Sequence, residues 1–258
     1  MREPLLTVED LNVAYGQGSR ALHGVSLSVP ARSYVGLVGL NGAGKTTTLR
    51  AISGFSRFET AAVTRGRIRF GSIDITGWPP HMTSAAGISL VAERDKVFLT
   101  LTVQENLEIA VQRRSTKRER DTLGQVFELF PVLADLRKKQ AGYLSGGERQ
   151  FLATAAALAA DPKLLLVDEA TLGLSPSAAE AALEKFKELK EQRDLTVLLV
   201  DQNVRAVLGV CDYSYVIANG IIVSRGTSEE LDREGAIEEL GFGLSRRLGQ
   251  SFSGPRTA

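Results

Sequence analysis

Gly39-Leu40-Asn41-Gly42-Ala43-Gly44-Lys45-Thr46 follows the apolar run Tyr34–Val38 and opens a helical pattern at Lys45. The order of strand, glycine-rich turn and helix is what a triphosphate needs. Such a ligand is strongly anionic and must be met by closely spaced donors. Glycines let the backbone curl so that successive amides point inward. The following helix adds free N–H groups and the positive end of its dipole. The spacing G-x-x-x-x-G-K-T places Lys45 for the β- and γ-phosphates and the Thr46 hydroxyl for Mg²⁺.

A loop of this kind serves kinases, GTPases and motors alike, so downstream residues must decide. Leu164-Leu165-Leu166-Val167-Asp168-Glu169 is an apolar strand ending in two acids. If that strand lies beside the strand of the phosphate loop, Asp168 is aimed at Mg²⁺ through water. Glu169, one step on, is then placed to polarise the attacking water as a general base. Leu144-Ser145-Gly146-Gly147-Glu148 has capping-box spacing between Ser145 and Glu148, so a helix starts there and runs through Phe151–Ala159. Its glycine tip suits a further anion contact. Ser145 stands 100 residues beyond Lys45. The expectation is that it addresses nucleotide held by a second subunit.

Around these motifs the pattern alternates. Leu6, Val8, Leu11 and Val13, then Val25, Leu27 and Val29, read as half-buried strands. Ile68, Phe70, Ile73 and Ile75 around Gly71 read as a hairpin, and Ile88–Val91 as a buried strand. Thr102 and Glu105 form a second capping box, starting a helix to about Val111. Leu123, Val126, Phe127 and Phe130 share a helix face that stops at Pro131. The basic run Arg113–Arg120 reads as a solvated loop or helix end. Ser175 caps a helix with Pro176 at its first position, Leu195–Val200 is another buried strand, and Asn219-Gly220 marks a hairpin. Buried strands joined by helices imply a parallel sheet.

Composition sets the outer limits. At 258 residues, with 43% hydrophobic and 24% charged residues, the chain suits one large globular domain. Its 31 basic and 30 acidic residues leave a net charge of +1, against attachment to nucleic acid by bulk charge. One cysteine, Cys211, excludes a disulfide framework and a cysteine zinc site. The apolar stretches at 151–160 and 163–167 are divided by Asp161-Pro162 and are too short to span a bilayer. The N-terminal residues lack the pattern of a signal peptide.

Taken in order, these motifs resemble the ATP-binding cassette (ABC) ATPases. The resemblance covers 6–242 and includes LSGGE at Leu144–Glu148, LLLVDE at Leu164–Glu169 and LLVDQN ending at Asn203. It implies a P-loop NTPase with a RecA-like parallel sheet core, an antiparallel β subdomain and a helical subdomain inserted at about 94–159. A flexible tail is expected at 243–258. ATP and Mg²⁺ are the implied ligands. Tyr15 is implied to stack on adenine and Gly39 through Thr47 to contact the nucleotide. Thr46, Asp168 and Glu93 are implied at the metal. Ser145, Gly146, Gly147 and Glu148 are implied to reach ATP held by a partner cassette across an interface loop at Leu172–Ser175. Gln202 stands where the catalytic switch residue is usually His. It can bond a phosphate but cannot carry charge. His23 and His81 are read as surface residues in loop or strand contexts.

The departures from the common pattern, Glu93 and Gln202 above all, are similar to one of the two ATPase subunits of branched-chain amino-acid importers. Urea and amide importers and the lipopolysaccharide-export ATPase resemble it too, and a soluble or purely regulatory cassette stays an alternative. The resemblance implies transmembrane permease subunits as partners, a solute-binding protein indirectly, no nucleic acid, and a peripheral place on the cytoplasmic face of the membrane. Phe98, Leu99 and Leu101 are candidate permease contacts, core packing being the equal alternative. Gln202 suggests pairing with a His-bearing cassette.

Overall fold

The computed structural model describes residues 3–16, 18–55, 61–93, 97–111 and 116–233. The expected tail, and residues 113–115 at the start of the basic run, lie outside them. Two sheets carry the chain. An antiparallel sheet in the order β2-β1-β4-β5 is built from β1 (Pro4–Tyr15), β2 (Ser19–Pro30), β4 (Ala61–Phe70) and β5 (Ile73–Asp74). Its alternation is clean in β2, where Val25, Leu27 and Val29 are buried between more exposed serines. In β1 the phase slips between Val8 and Leu11, with Asp10 at φ 47° and its N–H on Ser26 Oγ at 2.9 Å. That bulge explains why Leu6, Val8, Leu11 and Val13 alternate only roughly yet are all buried.

The second sheet runs β10-β9-β3-β8-β7-β6. Its strands are β3 (Tyr34–Val38), β6 (Ile88–Val91), β7 (Leu164–Asp168), β8 (Thr196–Asp201), β9 (Tyr213–Ala218) and β10 (Ile221–Gly226). All but β10 are parallel. Every residue of β3, β7 and β8 is buried, as strands covered on both faces must be. Strand β6 closes the edge, so Ser89 and Leu90 stay half-buried. The Asn219-Gly220 turn joins β9 to β10 with both residues at positive φ.

The sheet order corrects one expectation. The strand carrying Asp168 does not lie beside the phosphate-loop strand: β8 is inserted between β7 and β3. Both strands still end on the same side because all three are parallel. His81 is also corrected. It lies in helix α2 (Pro80–Ala86), exposed, while His23 is an exposed residue of β2.

Helix α1 (Lys45–Ser53) follows β3, and α3 (Val103–Val111), α4 (Thr116–Leu129), α5 (Pro131–Asp135) and α6 (Gly146–Ala159) form the helical subdomain between β6 and β7. Thr102 and Glu105 make both halves of their capping box. Pro131 ends α4 and heads α5. Val103, Leu107, Val126, Phe130, Leu133 and Leu152 join one apolar cluster that continues into the parallel sheet. Buried Asn106 staples the segment before α3, exchanging bonds with Phe98 N and O at 2.8 and 3.0 Å. Helices α7 (Pro176–Gln192), α8 (Val204–Leu208) and α9 (Ser228–Arg233) complete the α-helices of the described residues. Ser175 caps α7, its oxygen accepting from Ala178 N. No helix among the described residues is long and apolar enough to cross a membrane.

Candidate active site

Strand β3 delivers the chain into the glycine loop, and α1 leaves it with Lys45 as first residue. Gly39 is required sterically: a Cβ there would stand 2.2 Å from the Ile217 carbonyl oxygen. Gly44, just before α1, holds φ 107° with the Leu22 side chain 2.6 Å from where its Cβ would be. Lys45 turns back and donates from Nζ to the carbonyls of Gly39 at 2.9 Å and Leu40 at 3.2 Å. Its ammonium also lies 3.8 Å from Glu169 Oε1. Burial lowers its proton affinity, opposed by the charges of Glu169, Asp168, Asp201 and Glu93.

Facing it are the ends of β7 and β8. The Thr46 hydroxyl donates to Asp168 Oδ1 at 3.1 Å. Burial pushes Asp168 up to about 6, against the Thr46 bond and with help from Glu169 and Glu93. Glu169 is also raised by burial, with Lys45 opposing. Its backbone has φ 52°, a conformation rare outside glycine, and its N–H is anchored on Val200 O at 2.8 Å. A cleft of about 470 Å³ opens here, lined by Asn41, Gly42, Gly44, Lys45, Thr46, Thr47, Glu93, Glu169, Leu172 and Ala21. Buried cation, glycine backbone and carboxylates thus converge on one concavity, suited to a polyphosphate and its counter-ion.

Mg²⁺ fits the donor set. Among the described residues no three His, Cys, Asp or Glu side chains form a closed metal cage. What the cleft offers is one hydroxyl, Thr46, bonded to one carboxylate, Asp168. Mg²⁺ characteristically takes one or two protein oxygens and completes its shell with phosphate and water.

The other expected residues fall around this centre. Tyr15 is half-buried at the end of β1 and shares a 3.1 Å hydrogen bond between its hydroxyl and Thr47 Oγ1. Gln202 is exposed just past β8 and is not part of the cleft wall. Ser145 and Glu148 close their capping box in full. None of Ser145, Gly146, Gly147 or Glu148 lines the cleft of its own chain. The two glycines let the tip of α6 close on the loop before α7 and on the first turn of α7: Cβ atoms on them would meet Leu174 and Ala178, respectively, at 3.1 Å each.

One residue beside the site went unnoticed in the sequence. Asp201, at the end of β8, accepts from the Thr171 N–H and hydroxyl and from Asn203 N–H. Only its place after a buried apolar strand, the same signal that marks Asp168, sets it apart.

A parallel sheet with a phosphate loop at the end of β3 and acids at the ends of β7 and β8 defines a P-loop NTPase. The sequence pattern of the ABC transporter family matches residues 22–172. The probable branched-chain amino acid transport ATP-binding protein LivF of Archaeoglobus fulgidus is 36% identical over 240 residues, covering 93% of this chain and 99% of that protein. The lipopolysaccharide export system ATP-binding protein LptB of Haemophilus influenzae is 33% identical, covering 95% and 99%. A crystal structure of an ABC transporter's ATP-binding cassette in its ADP conformation superposes with a TM-score of 0.79 at 27% identity, over 93% of this chain and 99% of that one. The chain belongs to the ABC transporter family and is one of its ATP-hydrolysing cassettes.

Proposed function

We propose that this cassette binds ATP·Mg²⁺ in the cleft at Lys45 and powers an importer of branched-chain amino acids. The observation that carries the catalytic part is the convergence of Lys45 and Thr46 at the start of α1 with Asp168 and Glu169 at the end of β7. Lys45 leaves the Gly39 and Leu40 carbonyls for the β- and γ-phosphates. Backbone amides from Gly39 to Thr47 take the remaining phosphate oxygens. Thr46 and Asp168, with Glu93 at the rim, hold Mg²⁺, which when bound neutralises phosphate charge. Glu169 accepts a proton from the attacking water, and burial raises the proton affinity of its carboxylate in the direction that favours this. Tyr15 takes the adenine face.

A second cassette completes the site with its own serine and glycines at the α6 tip, an assignment supported by the absence of those residues from the cleft wall of their own chain. Phe98 and Leu99 are 59% and 56% exposed, and Tyr143 beside them is 74% exposed. The Gly142 N–H bond to Leu99 O, 2.9 Å, joins the two segments. This apolar patch on the helical subdomain receives a short helix of a transmembrane permease, placing the cassette on the cytoplasmic membrane face. Leu101, half-buried, contributes packing instead. Gln202 cannot carry charge, which favours pairing with a His-bearing cassette whose site turns over faster.

Likeness to LivF over nearly the whole chain supports the amino-acid reading. Likeness of nearly the same extent to LptB supports a second, a cassette of a lipopolysaccharide exporter. Proteoliposomes containing the cassette with its permeases and solute-binding protein decide between them. Hydrolysis stimulated by liganded leucine-binding protein is the expected result. Stimulation only by lipopolysaccharide favours the second reading, and no hydrolysis in either case rejects both.

A further inference from the structure

We propose that Asp201 is a positioning residue for hydrolysis, tying the loop that follows Glu169 to the switch segment at Gln202. Its side chain is buried, with 1% exposure. Oδ2 accepts the Thr171 N–H at 3.0 Å and the Thr171 hydroxyl at 2.8 Å, while Oδ1 accepts the Asn203 N–H at 2.9 Å. All three partners are donors, as an ionised, acceptor-only carboxylate requires. Burying a carboxylate costs free energy that an apolar strand end would avoid, so its retention here calls for a role.

The connections supply one. Thr171 is two residues from Glu169, whose N–H is anchored on Val200 O, the residue before Asp201. Beyond Thr171 the loop sends Leu172 into the cleft wall and Leu174 against Gly146 of the α6 tip, then caps α7 with Ser175. On the other side Asn203 caps α8 through a 3.2 Å bond from Ala206 N. One carboxylate thereby fixes the backbone on both sides of the base: the loop that faces a partner cassette and the residue that takes the switch position. Hydrogen bonds to a charged acceptor are stronger than neutral ones, which makes this a stiff joint.

The proposal rests on Glu169 being the base, and the test separates the two. ATP hydrolysis and ATP binding are measured for the whole chain as wild type, Glu169→Gln, Asp201→Asn, Thr171→Val and Thr171→Ser. Thr171→Val keeps shape and N–H but loses the hydroxyl. It is expected to lower kcat on the order of tenfold with ATP affinity changed less than about threefold, the signature of a group acting on the chemical step. Thr171→Ser restores the hydroxyl and is expected to recover kcat to within about twofold. Asp201→Asn is expected to lower kcat further, and where it fails to fold the Thr171 pair still decides. Wild-type kcat in Thr171→Val, or a Thr171→Ser variant as slow as Thr171→Val, overturns the proposal while Glu169→Gln remains inactive. Hydrolysis that survives Glu169→Gln removes the functional reading itself, and this proposal with it.

Discussion

The hydroxyl of Thr46 donates to Oδ1 of Asp168 across 3.1 Å, although 122 residues separate the two in the chain. That bond and, to a lesser degree, the charge of Arg50 offset part of the burial that pushes the Asp168 carboxyl up to about 6. Because this folded-state value lies above the ordinary carboxylate range, ionisation of Asp168 weakens the nucleotide-free fold as pH rises from about 4 to about 6. Asp168→Asn is therefore expected to raise the melting temperature of the nucleotide-free protein at pH 7. Under the proposed function the same change removes a metal oxygen. Affinity for ATP in the presence of Mg²⁺ is expected to fall by about tenfold or more, and affinity for ATP in EDTA to change little. Calorimetry in the two buffers checks this, and equal losses in both count against a metal role.

Lys45 and Glu169 face each other at 3.8 Å inside the cleft, yet their loss is expected to act on different steps. Glu169→Gln keeps the shape and removes the base, so turnover falls by roughly a hundredfold or more while ATP still binds. Lys45→Ala removes the charge that answers the phosphates, so binding itself weakens. Single-turnover hydrolysis and equilibrium binding on the same preparations separate the two. Near-normal turnover by Glu169→Gln rejects it as the base.

Much of this site was legible because its parts are local in sequence. A glycine loop needs eight neighbouring residues, a capping box needs four, and a strand ending in acids needs six. Ser145 with Glu148, Thr102 with Glu105, and Ser175 with Pro176 all form the caps their spacing implies. What spacing does not carry is strand order, which depends on long-range pairing. Thus β8 intervenes between β3 and β7, and the acid that ends it, Asp201, looked like the close of an apolar run. Asn106 escaped notice for a related reason: its buried amide answers the Phe98 backbone, a partner that only the folded loop provides. Exposure of Phe98 and Leu99 was equally undecidable from hydrophobicity, since apolar residues populate both cores and docking surfaces.

That exposed pair gives a separation of function. Phe98→Asp places a charge on a surface already facing solvent, so stability and basal ATP hydrolysis are expected to stay near wild type. Co-purification with the permease subunits is expected to be lost, because a desolvated carboxylate has no partner in an apolar contact. A pull-down compared with the melting curve of the isolated cassette tests this. Undiminished capture by a folded Phe98→Asp variant removes the patch from consideration as the docking site.

Cys211, the single cysteine, offers a probe of the core on the far side of β3 from the phosphate loop. It is buried, and burial pushes its thiol well above the ordinary range, only partly offset by Lys190. Burial also pushes the Tyr34 phenol upward in the same cluster. Two consequences share that cause. At pH 8 the folded chain holds almost no thiolate, so reaction with a disulfide reagent is expected to be slow and to follow opening of the fold. Above about pH 9 the unfolded chain gains by ionising both groups while the folded chain does not, so stability is expected to decline with rising pH. ATP·Mg²⁺, bound only by the folded state, is expected to slow the thiol reaction further. Stopped-flow labelling with and without nucleotide measures it. Labelling at the rate of a free thiol in native conditions would place Cys211 at the surface and contradict the packing.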